Sequence, residues 1–229
     1  MARNLRKFTI EAEYSAATLY YPSVSWVTGT DTVHYDKTAP TPPAPPVFEG
    51  KYKLTLSDSS TVSAACGGTS AITQAEISAY TASTVAAEIG DCVSIIGDLA
   101  FNSCYYLTSI DIPSGVTTIG DLAFHYCYSL PSITIPNSVT TIGDSAFFAC
   151  ISLASIDIPD SVTSISTRAF YSCTSLTSIT VNATTPPTLS SNVFDDTNDC
   201  PIYVPSGSVN AYKSASGWST YASRIQAIL

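Results

Sequence analysis

No lysine or arginine occurs between Lys53 and Arg168. Binding to a nucleic-acid backbone depends on cations that displace the phosphate counterions, so nucleic acid is excluded as a partner for this stretch. Nor is there any run of about 18 apolar residues, which leaves no candidate for a membrane-spanning helix. Met1 to Thr9 carries Arg3, Arg6 and Lys7 with no apolar stretch behind them, so no secretory signal is visible in the sequence. Histidine occurs twice, as His34 and His125 in separate regions. Neither has a Ser or Cys nucleophile at a predictable distance, so no catalytic constellation is legible. None of the seven cysteines forms a Cys-x-x-Cys pair, so the zinc signal is missing. Gly67-Gly68 lacks the lysine that follows in a phosphate-binding loop. The chain reads as a non-enzyme without a cofactor.

What is present is a period. Phe101, Phe124, Phe147 and Phe170 recur at one constant interval, and Cys104, Cys127, Cys150 and Cys173 recur with them. Leu107, Leu130, Leu153 and Leu176 form a further row, as do Ile110, Ile133, Ile156 and Ile179. Ile112, Ile135 and Ile158 continue to Val181, with prolines 113, 136 and 159 behind them. Self-similarity at one fixed period indicates a solenoid. A single coil cannot bury its own apolar side, whereas stacked coils share one interior.

Within a unit, Ile110 and Ile112 alternate with Ser109 and Asp111, which predicts a short strand with the isoleucines inward. The following proline has no ladder donor and limits its length. Val116 and Ile119 form a second inward pair, consistent with a second short strand. Gly120-Asp121 then marks a corner, where the aspartate is expected to cap a helical turn through Ala123 and Phe124. Ser166 and Thr167 replace this Gly-Asp pair in one unit. The repeating cysteines read as a buried thiol column in small core slots. Cys66, Cys92 and Cys200 fall outside it, and Cys66 with Cys92 can pair in an oxidising compartment.

The pattern Leu-x-x-Ile-x-Ile-Pro-x-x-Val-Thr-x-Ile-Gly-x-x-Ala-Phe-x-x-Cys runs in full from Leu107 through Cys127 and again from Leu130 through Cys150. It closely resembles the BspA-like bacterial surface-antigen leucine-rich repeats, over roughly residues 81 to 229. The resemblance implies a curved parallel-sheet solenoid, extracellular or surface-associated binding, and no common catalytic residues. The expected fold is therefore a β-rich repeat solenoid of 23-residue coils with short parallel strands, capped by an N-terminal hairpin and helix and by C-terminal helices.

Taken in order, residues 1–38 lack the period, contain a hairpin pattern around Thr28 to Asp31 and present Tyr20, Tyr21, Trp26 and Tyr35. They read as an attachment segment or as a small subdomain packed on the rest. Residues 39–48 hold a proline-rich spacer of polyproline II type. Residues 49–80 form the N-terminal cap, with a hairpin turn at Ser57 to Ser60 and a capping box at Thr73 to Glu76. The solenoid runs over 81–205 with six strands, ending at Ile89, Ile112, Ile135, Ile158, Val181 and Val204. Residues 206–229 close it as one or two amphipathic helices, since Trp218, Tyr221, Ile225 and Ile228 follow helical spacing.

Two surfaces are candidates for binding a protein or glycan. The outward strand rows give Ser109, Asp111, Ser132, Thr134, Ser155 and Asp157, a uniform polar face without an aromatic anchor. The positions around each cysteine give His125, Tyr126, Tyr128, Phe148 and Ile151, an aromatic ridge if they point outward and a seal on the core if they fold back. The aspartates keep a Ser- and Thr-rich surface soluble. The alternative, calcium held between coils, has suitable oxygen ligands but no dense Asp-x-Asp loop. The expected setting is extracellular or on a bacterial surface, with a cell-envelope partner for residues 1–38. A phage virion docked through those residues is the alternative.

Overall fold

The computed structural model describes residues 49–67 and 69–229. The attachment segment, with Tyr20, Tyr21, Trp26 and Tyr35, and the whole of the proline spacer lie outside the described residues. From Thr84 onward the chain winds in coils with three sides, each held to the next coil by its own set of backbone hydrogen bonds.

The first side carries the alternating strands. Thr84–Ile89 pairs in parallel with Ser109–Asp111, placing Ala87 opposite Ile110. Ser155–Ile158, Ser178–Val181, Ile202–Val204 and Ile225–Ala227 form a second run of parallel strands. The expected strand at Ser132–Ile135 is not formed, although Ile133 and Ile135 are still buried and Ser132 and Thr134 exposed. The reason lies at Pro131. In the other coils the residue at that place donates its amide to the coil before, as Thr108 does to Val85 O at 2.8 Å and Ala154 to Pro131 O at 3.0 Å. Proline has no amide to donate, and the side divides there into two sheets.

The second side is a continuous parallel ladder of six two-residue strands, in the order Ala71–Ile72, Ile95–Ile96, Thr118–Ile119, Thr141–Ile142, Ser164–Ile165 and Thr188–Leu189. Val116 and Ile119 point inward as the sequence predicts.

The third side corrects two expectations. Instead of a helical turn, each coil has two residues in left-handed backbone, such as Leu122 (φ 57°) and Tyr126 (φ 63°). Alternate amides then reach the next coil, from Leu122 to Asp144 O, Phe124 to Ala146 O and Tyr126 to Phe148 O at 2.7–2.9 Å. The corner aspartates do not cap their own coil either. Asp98 Oδ1 accepts the amide of Asp121 at 2.9 Å, and Asp121 Oδ1 accepts that of Asp144 at 2.7 Å. These two carboxylates therefore each tie one coil to the next.

The interior is built from rows. Phe101, Phe124, Phe147, Phe170 and Phe194 stack at centroid distances of 5.1–5.7 Å. Beside them, the thiols of Cys127, Cys150 and Cys173 each donate to the carbonyl of the phenylalanine one coil back, at 3.1–3.3 Å. Cys200 is also buried, so it belongs with the interior despite its irregular spacing. Burial pushes the Cys104 thiol up to about 12 and the Cys127 thiol well above its ordinary value. Thiolate is the reactive species, so the five free cysteines are expected to resist a thiol reagent at pH 8 until the protein is denatured, and then to titrate fully without a reductant. Rapid labelling of the native protein would contradict this burial.

At the N-terminal end, Gly50–Leu56 and Thr61–Ala65 form the predicted hairpin, and Gly50–Leu56 pairs antiparallel with Thr84–Ile89. Thr73 and Glu76 make the predicted capping box at the head of the short helix Gln74–Ile77. Cys66 and Cys92 are joined in a disulfide with Cα atoms 6.1 Å apart. Glu76 Oε1 accepts from the buried Lys51 Nζ at 2.7 Å. Burial raises the Glu76 carboxyl, but hydrogen bonds from Lys51 and Thr73 and the lysine charge outweigh it and hold the group below the glutamate range. A carboxyl lowered in the folded state contributes stability above its unfolded pKa, about 4.3, which is lost as pH falls through the folded value. Between pH 6 and pH 3 the urea midpoint should therefore fall further for the native protein than for Glu76→Gln. Equal falls would show that the pair is not formed.

The C-terminal end corrects the helical reading. Val209–Ser214 is helical and Trp218–Tyr221 forms a 3-10 turn, but Ile225–Ala227 is a strand paired with Ile202–Val204. Ile225 lies one full coil beyond Ile202, so the coil period rather than the helical spacing governs it. Trp218 and Tyr212 are fully buried. Trp218 Nε1 donates to Pro187 O at 2.7 Å and the Tyr212 hydroxyl to Ala183 O at 2.8 Å, so both polar tips are satisfied where they close the phenylalanine row.

Candidate binding surface

The third side ends at Tyr126, one residue before the cysteine column, and the chain then turns towards the strands of the first side. The left-handed backbone at Tyr126 and the inward anchors Phe124 and Cys127 leave His125, Tyr126 and Tyr128 at this corner. The coil period repeats the corner in each unit, so rings of successive coils meet.

They meet as two columns. In one, His125 lies 5.0 Å from Phe148, and Phe148 stacks on Tyr171 at 5.2 Å and 9°. In the other, Tyr105 stacks on Tyr128 at 5.3 Å and 22°, and Ile151 follows one period later. Tyr126 joins the columns, with its ring centroid 3.8 Å from His125, 5.8 Å from Phe148 and 5.5 Å from Tyr128. The two expectations for these residues each hold for part of the set. His125, Tyr126 and Phe148 are half-buried and seal the flank, while Tyr128 and Ile151 remain exposed at 37% and 42%. Tyr105 and Tyr106, at 39% and 57%, extend the exposed strip, and Tyr171 prolongs the first column. The sequence signal for Tyr105 and Tyr171 is the same period, one step before Tyr128 and one step after Phe148.

His125 Nδ1 lies 3.1 Å from Asn102 Oδ1, its counterpart one coil back. Burial pushes its imidazole below the usual range, so it is neutral at pH 7. Its partner is an amide rather than a serine or cysteine, which gives it no nucleophile to activate.

The strand rows follow the rings along each coil, on the first side. Ser109, Asp111, Ser132, Thr134, Ser155 and Asp157 are all exposed. Asp157 pairs in register with Thr180 and accepts from Asn182 Nδ2 at 2.6 Å. Asp111 and Asp157 are two coils apart, with Thr134 between them. Among the described residues no group of three metal-ligating side chains occurs. A cleft of about 700 Å³ at the C-terminal end is lined by Asp195, Asp196, Tyr221 and Arg224. Within it Tyr221 donates to Asp195 at 2.7 Å, and Arg224 is engaged with the carbonyls of Cys200 and Phe194.

Comparison with known proteins agrees with this architecture. None of the curated proteins matches the chain. Among solved structures, a leucine-rich cell surface protein of Faecalibacterium prausnitzii A2-165 is 34% identical over 58% of this chain and 35% of its own, with a TM-score of 0.52. A leucine-rich repeat protein of T. pallidum is 29% identical over 52% of this chain and 55% of its own, at TM-score 0.46. One from Bacteroides ovatus ATCC 8483 is 28% identical over 51% and 38%, at 0.38. The chain thus spans between about a third and just over half of the length of these relatives. The profile of the BspA type leucine-rich repeat region matches residues 80–215 in six copies. With three hydrogen-bonded sides repeating at one period over the same range, the chain belongs to the BspA-type leucine-rich repeat family.

Proposed function

We propose that this protein is a non-enzymatic binding module displayed at a bacterial surface, which recognises a protein or glycan through the flank of its solenoid. In this reading His125, Tyr126, Tyr128, Phe148 and Ile151 form the contact strip, and Ser109, Asp111, Ser132, Thr134, Ser155 and Asp157 form the polar border. Residues 1–38 serve as the attachment segment and residues 39–48 as the spacer. The observation that carries the reading is the exposed aromatic strip, because tyrosine is enriched where interfaces concentrate their binding energy. The Cys66–Cys92 disulfide fits an oxidising compartment outside the cytosol. The neighbour from Faecalibacterium prausnitzii is itself described as a cell surface protein.

Arrays of extracellular-matrix proteins and glycans, probed with the full chain, test the reading. The triple variant Tyr126→Ala, Tyr128→Ala and Phe148→Ala should lose at least about tenfold in affinity for whatever binds, since one lost anchor at an interface costs on the order of 2 kcal/mol. Thermal unfolding reports separately on the half-buried members. A folded variant that binds as the native protein does would discard the ridge.

A further inference from the structure

The ridge sits in an unusual electrostatic setting. From Leu54 to Thr167 there are ten carboxylates and no lysine or arginine. Two of the ten are met by cations of the N-terminal hairpin, Glu76 by Lys51 at 2.7 Å and Glu88 by Lys53 at 3.7 Å. The other eight have no cation within their stretch. Five of the eight stand before or after the rings along their coils. Asp98, Asp121 and Asp144 stand where the third side begins, and Asp111 and Asp157 stand on the strand face beyond the corner. All five are exposed. Their hydrogen bonds to backbone amides and to Asn182 leave the negative charge in place. The ridge is therefore an uncharged strip between two lines of negative charge. Arg168, the first cation after Lys53, marks its far end, three residues before Tyr171.

The ring geometry separates ligand classes. A sugar stacks on an open aromatic face, but here one face of each stacked ring is covered, Tyr105 and Tyr128 by one another and Phe148 and Tyr171 by one another. The exposed members of the strip are Tyr105, Tyr106, Tyr128 and Ile151. Lysine and arginine stems pack well against such a surface while their charged ends reach past it into water, and here the ends would reach carboxylates. Complementary charge across an interface accelerates encounter and selects partners.

We propose that the strip from Tyr105 to Ile151, with its flanking aspartates, is a docking site for a basic protein segment whose lysine or arginine stems lie along the rings and whose charges meet Asp111, Asp157 and the Asp98 to Asp144 row. This deepens the ridge reading and rests on it. The site would discriminate against neutral glycans and against acidic proteins.

The test uses the full chain with a synthetic peptide of alternating lysine and leucine pairs, the same peptide with its lysines acetylated, and a panel of neutral glycans. Binding of the lysine peptide should weaken at least about tenfold between 50 and 500 mM NaCl, because the Debye length shortens from about 14 Å to about 4 Å. Acetylation should abolish it. Asp111→Asn with Asp157→Asn should weaken it and flatten the salt dependence, and Tyr105→Ala with Tyr128→Ala should weaken it at both salt concentrations. If the aspartate variant weakens binding but the tyrosine variant does not, the attraction is bulk charge and the docking site is overturned. Equal binding of the acetylated peptide, or ridge-dependent binding of a neutral glycan that ignores salt, would overturn the basic partner while leaving the ridge standing. If the tyrosine variant changes neither peptide nor glycan binding, the ridge itself fails.

Discussion

Replacing Phe124 by alanine is expected to lower the free energy of unfolding by about 4–5 kcal/mol. Its ring is fully buried and is stacked on both faces, against Phe101 at 5.4 Å and Phe147 at 5.2 Å. Truncation removes the transfer energy of the ring, leaves a void in a row that neighbouring coils fill rigidly, and breaks two stacked contacts worth about 0.5–1.5 kcal/mol each. The same change at Phe148, one residue beyond Phe147 and half-buried on the ridge, should cost far less, about 1–2 kcal/mol. Stability in a solenoid is close to a sum of coil and neighbour terms. A gap in a central coil should therefore also loosen the coupling between its flanks, seen as a lower denaturant slope as well as a lower midpoint. Equal costs at Phe124 and Phe148 would mean that the interior and the flank have been exchanged.

The second large effect has the opposite sign to the usual rule. Gly143 has ordinary negative φ, and glycine-to-alanine changes at such positions commonly stabilise by about 0.4–1 kcal/mol through the unfolded state. Here a Cβ would stand 2.5 Å from the carbonyl carbon of Gly120 and 2.6 Å from the amide nitrogen of Asp121. Both are backbone atoms of the coil below and neither can rotate away. Gly143→Ala should instead destabilise by about 2–3 kcal/mol, by wedging two coils apart where Asp121 holds the Asp144 amide. Gly115 is the internal control, since a Cβ there meets nothing nearer than 3.6 Å, and Gly115→Ala should be neutral or mildly stabilising. The chain itself shows how a coil adapts to a side chain in this row. At Ser166, the Asp144 carboxylate accepts from its neighbour Ser145 at 2.7 Å and makes no corresponding tie to the next coil. A melting temperature for Gly143→Ala at or above that of the native protein would contradict the close approach.

The rows of the interior were legible because burial and period coincide: every Phe, Cys, Leu and Ile that repeats at the coil period lies inside or against the core. What the period could not convey was backbone direction. Leu122, Ser145 and Arg168 adopt left-handed φ without the glycine that would signal it, because ladder hydrogen bonds to the next coil hold them there. Asp121 looked like a cap for its own turn, but a carboxylate at a corner can reach up the stack as readily as along the chain. Pro131 carried a clear message, the loss of one ladder donor, which was visible only once the strand row was treated as hydrogen-bonded rather than merely alternating. Ile225 satisfied two periods at once, and pairing with Ile202 decided between them.

The ridge was half legible for a related reason. His125, Tyr126, Tyr128, Phe148 and Ile151 were identifiable as the variable positions around the cysteine, yet sequence could not say which would seal and which would project. The left-handed turn at Tyr126 decides that by tucking its ring between His125 and Tyr128. Tyr105 and Tyr171 fall on the same variable positions by period, and their ring contacts with Tyr128 and Phe148 in the adjacent coils show that they extend the columns.

The most direct measurement of coil stacking is the anomalous scattering of sulfur in crystals of the protein. The stacking predicts that the Sγ atoms of Cys104, Cys127, Cys150 and Cys173 form one gently curved row, with steps near the strand spacing of about 4.8 Å. Sulfur positions scattered across the molecule, or alternating between two faces, would contradict it.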